Sequence, residues 1–514
     1  MCPFATPLTR SPQVQELYEA LRTATLHVAN LLNESTQTHR LPPELLTRIF
    51  DLAVDPGSEE HAQQVVSLTH VCRYWRTLLL AYPSIWSTVY LKPGNPSVLS
   101  VWLGRSQKVP LTVIAEFTDA YEHPPCRYQD TSTAILTDDD YNLGVCPRHE
   151  AILSLNQLLP HRSRICDLSV LIHFSDPDWD DDEDDDHDGE PTLLYHNLFR
   201  KTLPNLRRLD FRASHVERNR YMIPIPDSLF AKKLPRLEDL KYLGVAGGLT
   251  GTARNLISCE IGFWSESAGP TMTSSEELRV LFSNNTTLES LIINECEFYH
   301  EVPWAPIATP LTNLKFLKID CPLAHPFEKL LNCIHIPQFK DIDTVHLSIS
   351  SSCVEAVATN GFGHTFEFSQ FISDQSHFDP LRHFGANITT LRLDQGTTLK
   401  RLGDAPTLCE LLRSLDAVQV LEFHGSIADF VQNALSTTGV FPGLKILRVT
   451  VSRDYCETAL QLLAVASRLR VVGGCPLSSI EPVIAESDGE LDQRLYTRWG
   501  KCYEAEGIQK LLSK

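Results

Sequence analysis

Two spacings of apolar residues divide this chain. Up to about residue 86 they recur every third or fourth position, as on a helix with one apolar stripe. From Ile165 onward they recur as triplets at positions 1, 4 and 6 of a short unit, L-x-x-L-x-L. In the first part, Val14, Leu17, Leu21, Ala24, Val28 and Leu31 predict a helix over 13–32. Their a/d stripe runs for about three heptads, which permits self-association as readily as packing on the rest of the chain. A second helix begins at Pro42 and Pro43, where missing N–H groups and fixed φ angles are tolerated, and Glu44 suits its positive end. Leu45, Ile49 and Leu52 form its stripe, widened by Leu46, Phe50 and Ala53. Val65, Leu68, Val71 or Cys72, Trp75 and Leu79 predict a further helix, closed by Pro83 and followed by an apolar anchor at Ile85–Trp86. Helices this short bury too little to stand alone, so they need the rest of the chain or a partner.

The triplets are Ile165-Leu168-Val170, Leu206-Leu209-Phe211, Leu237-Leu240-Tyr242, Leu256-Cys259-Ile261 and Leu288-Leu291-Ile293. They continue at Leu314-Leu317-Ile319, Ile342-Val345-Leu347, Ile388-Leu391-Leu393, Val418-Leu421-Phe423 and Leu444-Leu447-Val449. Short helical patterns fall between many of them, at 276–282, 327–334, 408–415, 427–435 and 455–465. A strand and a helix, repeated, stack into an α/β solenoid with a parallel sheet on one face. The intervals run from 19 to 46 residues, and the Asn or Cys expected three positions after a triplet occurs once, as Cys296. The repeats are therefore irregular, and a non-repetitive α/β domain is the structural alternative. The chain divides into an N-terminal helix (1–38), a helical module (39–90) and a linker with first elements and a loop (91–160). A repeat domain (161–480) and a capping helix (481–514) follow. Within the linker, Leu99 to Phe117 reads as a helix followed by a strand.

The net charge of −19 changes the picture less than its size suggests. Asp176 to Glu190 holds eleven acids and no Lys or Arg, more than half of that excess. Like-charge repulsion makes this run a solvated, disordered loop, and it lacks the central Gly and final Glu of a calcium loop. No dense basic stripe is present, which argues against nucleic acid. No stretch of ~20 apolar residues suggests a membrane span. The N-terminus lacks the apolar core of a signal peptide, and fourteen scattered cysteines form no C-x-x-C pair. A reducing cytoplasmic or nuclear setting is expected, with the sequons at Asn33, Asn284, Asn285 and Asn387 chance matches.

Phosphate-binding glycine loops, a G-x-S-x-G elbow and H-E-x-x-H are all missing, and Gly361-Phe362-Gly363 reads as a turn. Cys321, His325, Cys333 and His335 cluster in sequence, but in no zinc-like order, and Cys146 with His149 lacks a second pair. No metal, cofactor or enzymatic activity is expected.

The helical anchors, taken in order, resemble the F-box family. They are Leu41-Pro42-Pro43-Glu44-Leu45, Ile49-Phe50, Val71-Cys72-Arg73-Tyr74-Trp75-Arg76 and Pro83-Ser84-Ile85-Trp86, over about fifty residues. One departure is the polar insert Asp55 to Gln64 between the helices. The layout is similar to fungal F-box proteins with leucine-rich-repeat-like C-terminal regions. The resemblance implies a fold of helical F-box followed by an irregular leucine-rich-repeat-like horseshoe. It also implies docking to the Skp-type adaptor of a cullin–RING ubiquitin ligase, with the repeats recruiting a protein substrate. The docking face or its immediate support is then Leu41, Pro42, Pro43, Leu45, Ile49, Phe50, Val71, Cys72, Trp75 and Trp86. A non-ligase scaffold that uses the F-box as an adaptor-binding or capping module is the alternative.

Overall fold

A computed structural model describes residues 12–58, 60–91, 96–119, 147–174, 197–215, 223–224, 230, 233–243, 245–246, 253–262, 271–273, 275–294, 296–298, 310–320, 336, 339, 342–349, 353–371, 387–394, 415–424, 431, 441–451 and 477–484. The acidic run, the Cys321–His335 cluster and Cys146 lie outside the described residues. So do residues 485–514 and most of the helical patterns expected between the later triplets. The chain forms two units, divided after Phe117 within the second strand and after Leu168 within the third.

The first unit opens with α1 (Pro12–Ser35), followed by α2 (Pro43–Ala53), α3 (His61–Thr69) and α4 (Arg73–Leu80). β1 (Thr88–Leu91), α5 (Pro96–Arg105), β2 (Leu111–Asp119), α6 (Pro147–Leu158) and the start of β3 (Ile165–Phe174) complete it. The helix and strand expected over 99–117 are present as α5 and β2. β1 pairs in parallel with β2, Val89 opposite Val113, with Val89, Leu91, Val113 and Ala115 buried. Arg164 ties the loop after α5 to the turn before β3. Its guanidinium donates to the carbonyls of Ser106 and Val109 and to the Ser106 hydroxyl.

One expected helix is two. The stretch from Val65 to Leu79 breaks at Cys72, whose backbone is extended (φ −156°, ψ 168°) and whose sulfur accepts the Trp75 N–H. Cys72 thereby caps α4 and satisfies one of the free amides at its start.

The second unit contains β4 (Arg208–His215), β5 (Asp239–Leu243), β6 (Ser258–Gly262), β7 (Ser290–Asn294), β8 (Phe316–Asp320) and β9 (Thr344–Ile349). It continues with β10 (Cys353–Thr359), β11 (Thr365–Phe371), β12 (Thr390–Asp394), β13 (Val420–His424), β14 (Ile446–Val451) and β15 (Ser479–Ile484). In space the order is β4-β5-β6-β7-β8-β11-β10-β9-β12-β13-β14-β15, an open sheet. Pairings are parallel except those of β10, which runs antiparallel to both β9 and β11.

The triplets explain this sheet. In every triplet from Leu206 onward, each residue whose burial is described is buried, and their middle members align across strands. Leu209 faces Leu240, then Cys259, Leu291 and Leu317 follow in register. Backbone steps hold the same register: the N–H of each residue at position 2 donates to the carbonyl at position 2 of the preceding unit. This staircase runs through Arg207, Glu238, Ile257, Glu289 and Lys315, and again through Asp343, Thr389, Gln419, Lys445 and Ser478. Between Lys315 and Asp343 it is interrupted by the β9–β10–β11 meander, which accounts for the 46-residue interval after Ile342. An eleventh unit, Leu477 and Ile480, forms β15. That strand runs to Ile484, so a capping helix does not begin at 481.

Between strands, helix α7 (Asn197–Arg200) precedes β4, and α8 (Ser275–Asn284) lies where the pattern at 276–282 predicts a helix. Immediately after α8, Asn285 is 1% exposed. Its amide oxygen accepts the Leu256 N–H, and its amide nitrogen donates to the carbonyls of Ala253 and Leu281. A glycan cannot be accommodated there. Asn285→Leu leaves these backbone groups without partners, so a loss of about 1–3 kcal/mol is expected. A urea titration of the full chain checks it; a midpoint equal to wild type would contradict the bonding described.

Candidate partner-docking site

In α2 the broad apolar stripe is two faces. Leu46 and Phe50 are buried, with Val54 just beyond the helix. Leu45, Ile49 and Leu52 are 54%, 46% and 81% exposed. Residues at i, i+4 and i+7 share one side of a helix, so these three form a single outward row. Pro42 and Pro43 are exposed at its start, and Leu41 is half-buried.

The inward side is held by aromatic packing. Phe50 meets Trp75 of α4 edge-on at 4.8 Å between ring centroids. Trp86 is fully buried, donates its indole N–H to the Leu79 carbonyl (2.8 Å) and packs edge-on against Trp102 at 4.6 Å. The Arg105 guanidinium lies 4.4 Å from the Trp86 ring centre, a cation–π arrangement. Trp102 in turn donates to the Thr88 carbonyl. Phe50 and Trp86 are therefore buried core residues of the module, on the support side of the set read from sequence as docking face or immediate support. Trp75 and Cys72 are half-buried between these roles, and Val71 is 58% exposed.

His39 joins the start of α2 to the start of α4. It lies in the 3-10 turn Thr38–Arg40, its ring meets Tyr74 at a 40° tilt with centroids 4.6 Å apart, and its Nε2 is 3.6 Å from the Cys72 sulfur. This brings the Leu41–Pro43 lip toward the end of the module where Val71 and Cys72 lie. The polar insert is folded. Asp55 accepts the Gly57 N–H and donates its own to Gln64, and Tyr90 donates to the Pro56 carbonyl. Within the insert α3 already begins, at His61. Burial pushes the His61 imidazole below its ordinary range, against smaller opposing effects of the Asp55 and Ile85 backbone and the Asp55 charge. Burial, then the hydrogen bond to Asp51, pushes the Tyr82 hydroxyl up.

Leu52 is absent from the docking set read from sequence, although its spacing from Leu45 and Ile49 was the available signal. Among the described residues no group of three or more His, Cys, Asp or Glu is placed to hold a metal ion. Among them, no helix is long and apolar enough to cross a membrane.

A filled aromatic core lies beneath an exposed aliphatic row in this small helical module. Residues 38–92 match the F-box-like family model, from the 3-10 turn to the end of β1, so the chain carries an F-box-like domain. No curated protein matches the chain.

Proposed function

We propose that this protein is a substrate-recognition adaptor of a Skp–cullin–F-box type ubiquitin ligase. The F-box-like domain docks to a Skp-type adaptor, and the C-terminal units, read as an irregular leucine-rich-repeat-like horseshoe, recruit a protein substrate. The observation that carries this reading is the outward row Leu45, Ile49 and Leu52, which the domain's own core does not cover. A row of this kind, flanked by Pro42, Pro43 and Val71, suits an apolar groove on a partner. The sheet of the second unit offers a broad polar face, with cross-strand pairs such as Lys241–Glu260 and Arg448–Glu422. On this reading the chain performs no bond chemistry and works in the cytoplasm or nucleus. It raises the effective concentration of a substrate lysine near ligase-bound ubiquitin.

The test is a binding titration of the full chain with a Skp-type adaptor. Leu45→Asp with Ile49→Asp is expected to weaken binding at least tenfold, since each places a charge in an apolar interface centre. The unfolding midpoint should stay at the wild-type value, because both residues are exposed. Equal binding by the variant removes the docking claim. Failure of a cullin to co-purify with the complex removes the ligase part and leaves the scaffold reading.

A further inference from the structure

α1 is 24 residues long, about 36 Å at 1.5 Å per residue, and none of its residues is buried. Yet Val14, Leu17, Leu21, Val28 and Leu31 are each more than half exposed, on the heptad stripe completed by Ala24. A helix propensity alone does not maintain so many aliphatic groups in water, and isolated helices of this length are marginal. We propose that this stripe pairs with the same stripe of a second copy of the chain, as a short parallel two-stranded coiled coil.

Three observations choose a second copy over another occupant. First, the order of side chains fits: Val14, Leu21 and Val28 fall at a, and Leu17, Ala24 and Leu31 at d. Two of the three a positions are β-branched and two of the three d positions are leucine, the combination that favours two parallel strands. Second, the charges lie off the seam. Glu16, Glu19 and Arg22 occupy c, f and b, and Glu19 and Arg22 pair with each other at 3.8 Å on the outer side. The flanking e and g positions that would oppose one another within the helix hold Gln13, Tyr18, Ala20, Thr25, His27 and Leu32, and Glu34, at the last g position, would oppose residue 39, beyond the helix end. Two identical helices therefore meet without like-charge repulsion, and no charge code selects a different helix.

Third, the area suits a weak pair. Burying one fully exposed aliphatic side chain is worth about 1.5–3 kcal/mol at roughly 25 cal/mol per Å², or about 60–120 Å² each. Leu32 and the five large stripe residues are 52–71% exposed, so together they supply on the order of 200–450 Å² per helix, the scale of a transient encounter and below the ~600–1,000 Å² per partner of standard interfaces. The expected product is a concentration-dependent dimer that dissociates at roughly 1–100 µM. This inference does not rest on adaptor docking, which uses α2 and the start of α4.

Sedimentation velocity of the full chain tests it from roughly 0.5 to 100 µM, concentrations that span the expected dissociation constant. A monomer–dimer equilibrium is expected, weakened at least tenfold by Leu17→Glu with Leu31→Glu. Both sites are exposed, so below the dissociation constant, where both proteins are monomeric, the variant should melt with the wild type. Mild oxidation of Ala24→Cys should give a covalent dimer that the wild type does not, because a d position faces its own copy in a parallel pair. A monomer throughout the range overturns the proposal. So does a dimer unchanged by the double substitution, or Ala24→Cys that cross-links no better than wild type.

Discussion

Phe50→Ala is expected to destabilise the F-box-like domain by about 3–5 kcal/mol, the usual cost of removing a fully buried phenyl ring. The ring is 1% exposed and forms the edge-on contact that joins α2 to Trp75. Its neighbour Ile49 is 46% exposed, and Ile49→Ala should change stability by no more than ~0.5 kcal/mol. Hydrogen exchange of the α2 and α4 amides in the full chain separates the two. Protection should fall by two orders of magnitude or more in the first variant and hold in the second. On the proposed docking a second contrast is expected, with Phe50→Ala losing adaptor affinity through unfolding and the Leu45/Ile49 pair losing it in a folded domain. Unchanged protection in Phe50→Ala would show that the ring is not a core element.

Gly262→Ala is expected to disrupt the second unit, again by about 3–5 kcal/mol, from strained backbone and overpacking together. Gly262 ends β6 at φ +146°, a conformation open almost only to glycine. A Cβ there would stand 1.9 Å from the Asn294 carbonyl oxygen and 2.8 Å from its backbone nitrogen. Those atoms belong to β7, which pairs with β6 at this residue, so neither side can yield without losing register. Gly104→Ala is the control. It lies in helix α5 with nothing within 4 Å of an added Cβ, and should be neutral or stabilising by up to ~1 kcal/mol. Urea unfolding of both variants decides the matter; a Gly262→Ala midpoint at or above wild type would contradict the close strand approach.

Much of this architecture is legible in the residues. The 1-4-6 spacing marks ten strands because a buried face of a parallel ladder demands apolar groups at fixed register. Leu477 and Ile480 escape that reading because Pro482 stands where the third apolar residue belongs. A proline without an N–H is tolerated on β15, which ends the strand order, and would be costly in a central strand. β10 and β11 escape it for another reason. Ala356 and Ala358, and Phe366 across from Ala358, alternate with period two and never form the triplet. In the F-box-like domain the anchors identify the module but not the sidedness of α2. Leu45 and Leu46 are equally apolar, and packing with the rest of the chain decides which faces inward: Leu46 is buried along with Phe50, which meets Trp75. The break at Cys72 leaves no sequence mark of the usual kind, since a sulfur there takes the place of a capping hydroxyl or carboxylate.

The β9–β10–β11 meander preserves strand direction by parity. Two reversals are introduced, so β11 runs parallel to β8 on one side while β9 runs parallel to β12 on the other. An odd number of reversals would have turned every later strand upside down relative to the earlier ones. The triplets beyond it would then have faced antiparallel neighbours, with a different hydrogen-bond spacing. An even-numbered interruption is thus the smallest that lets a parallel array grow on both sides of a local hairpin without rewriting the residues of either half.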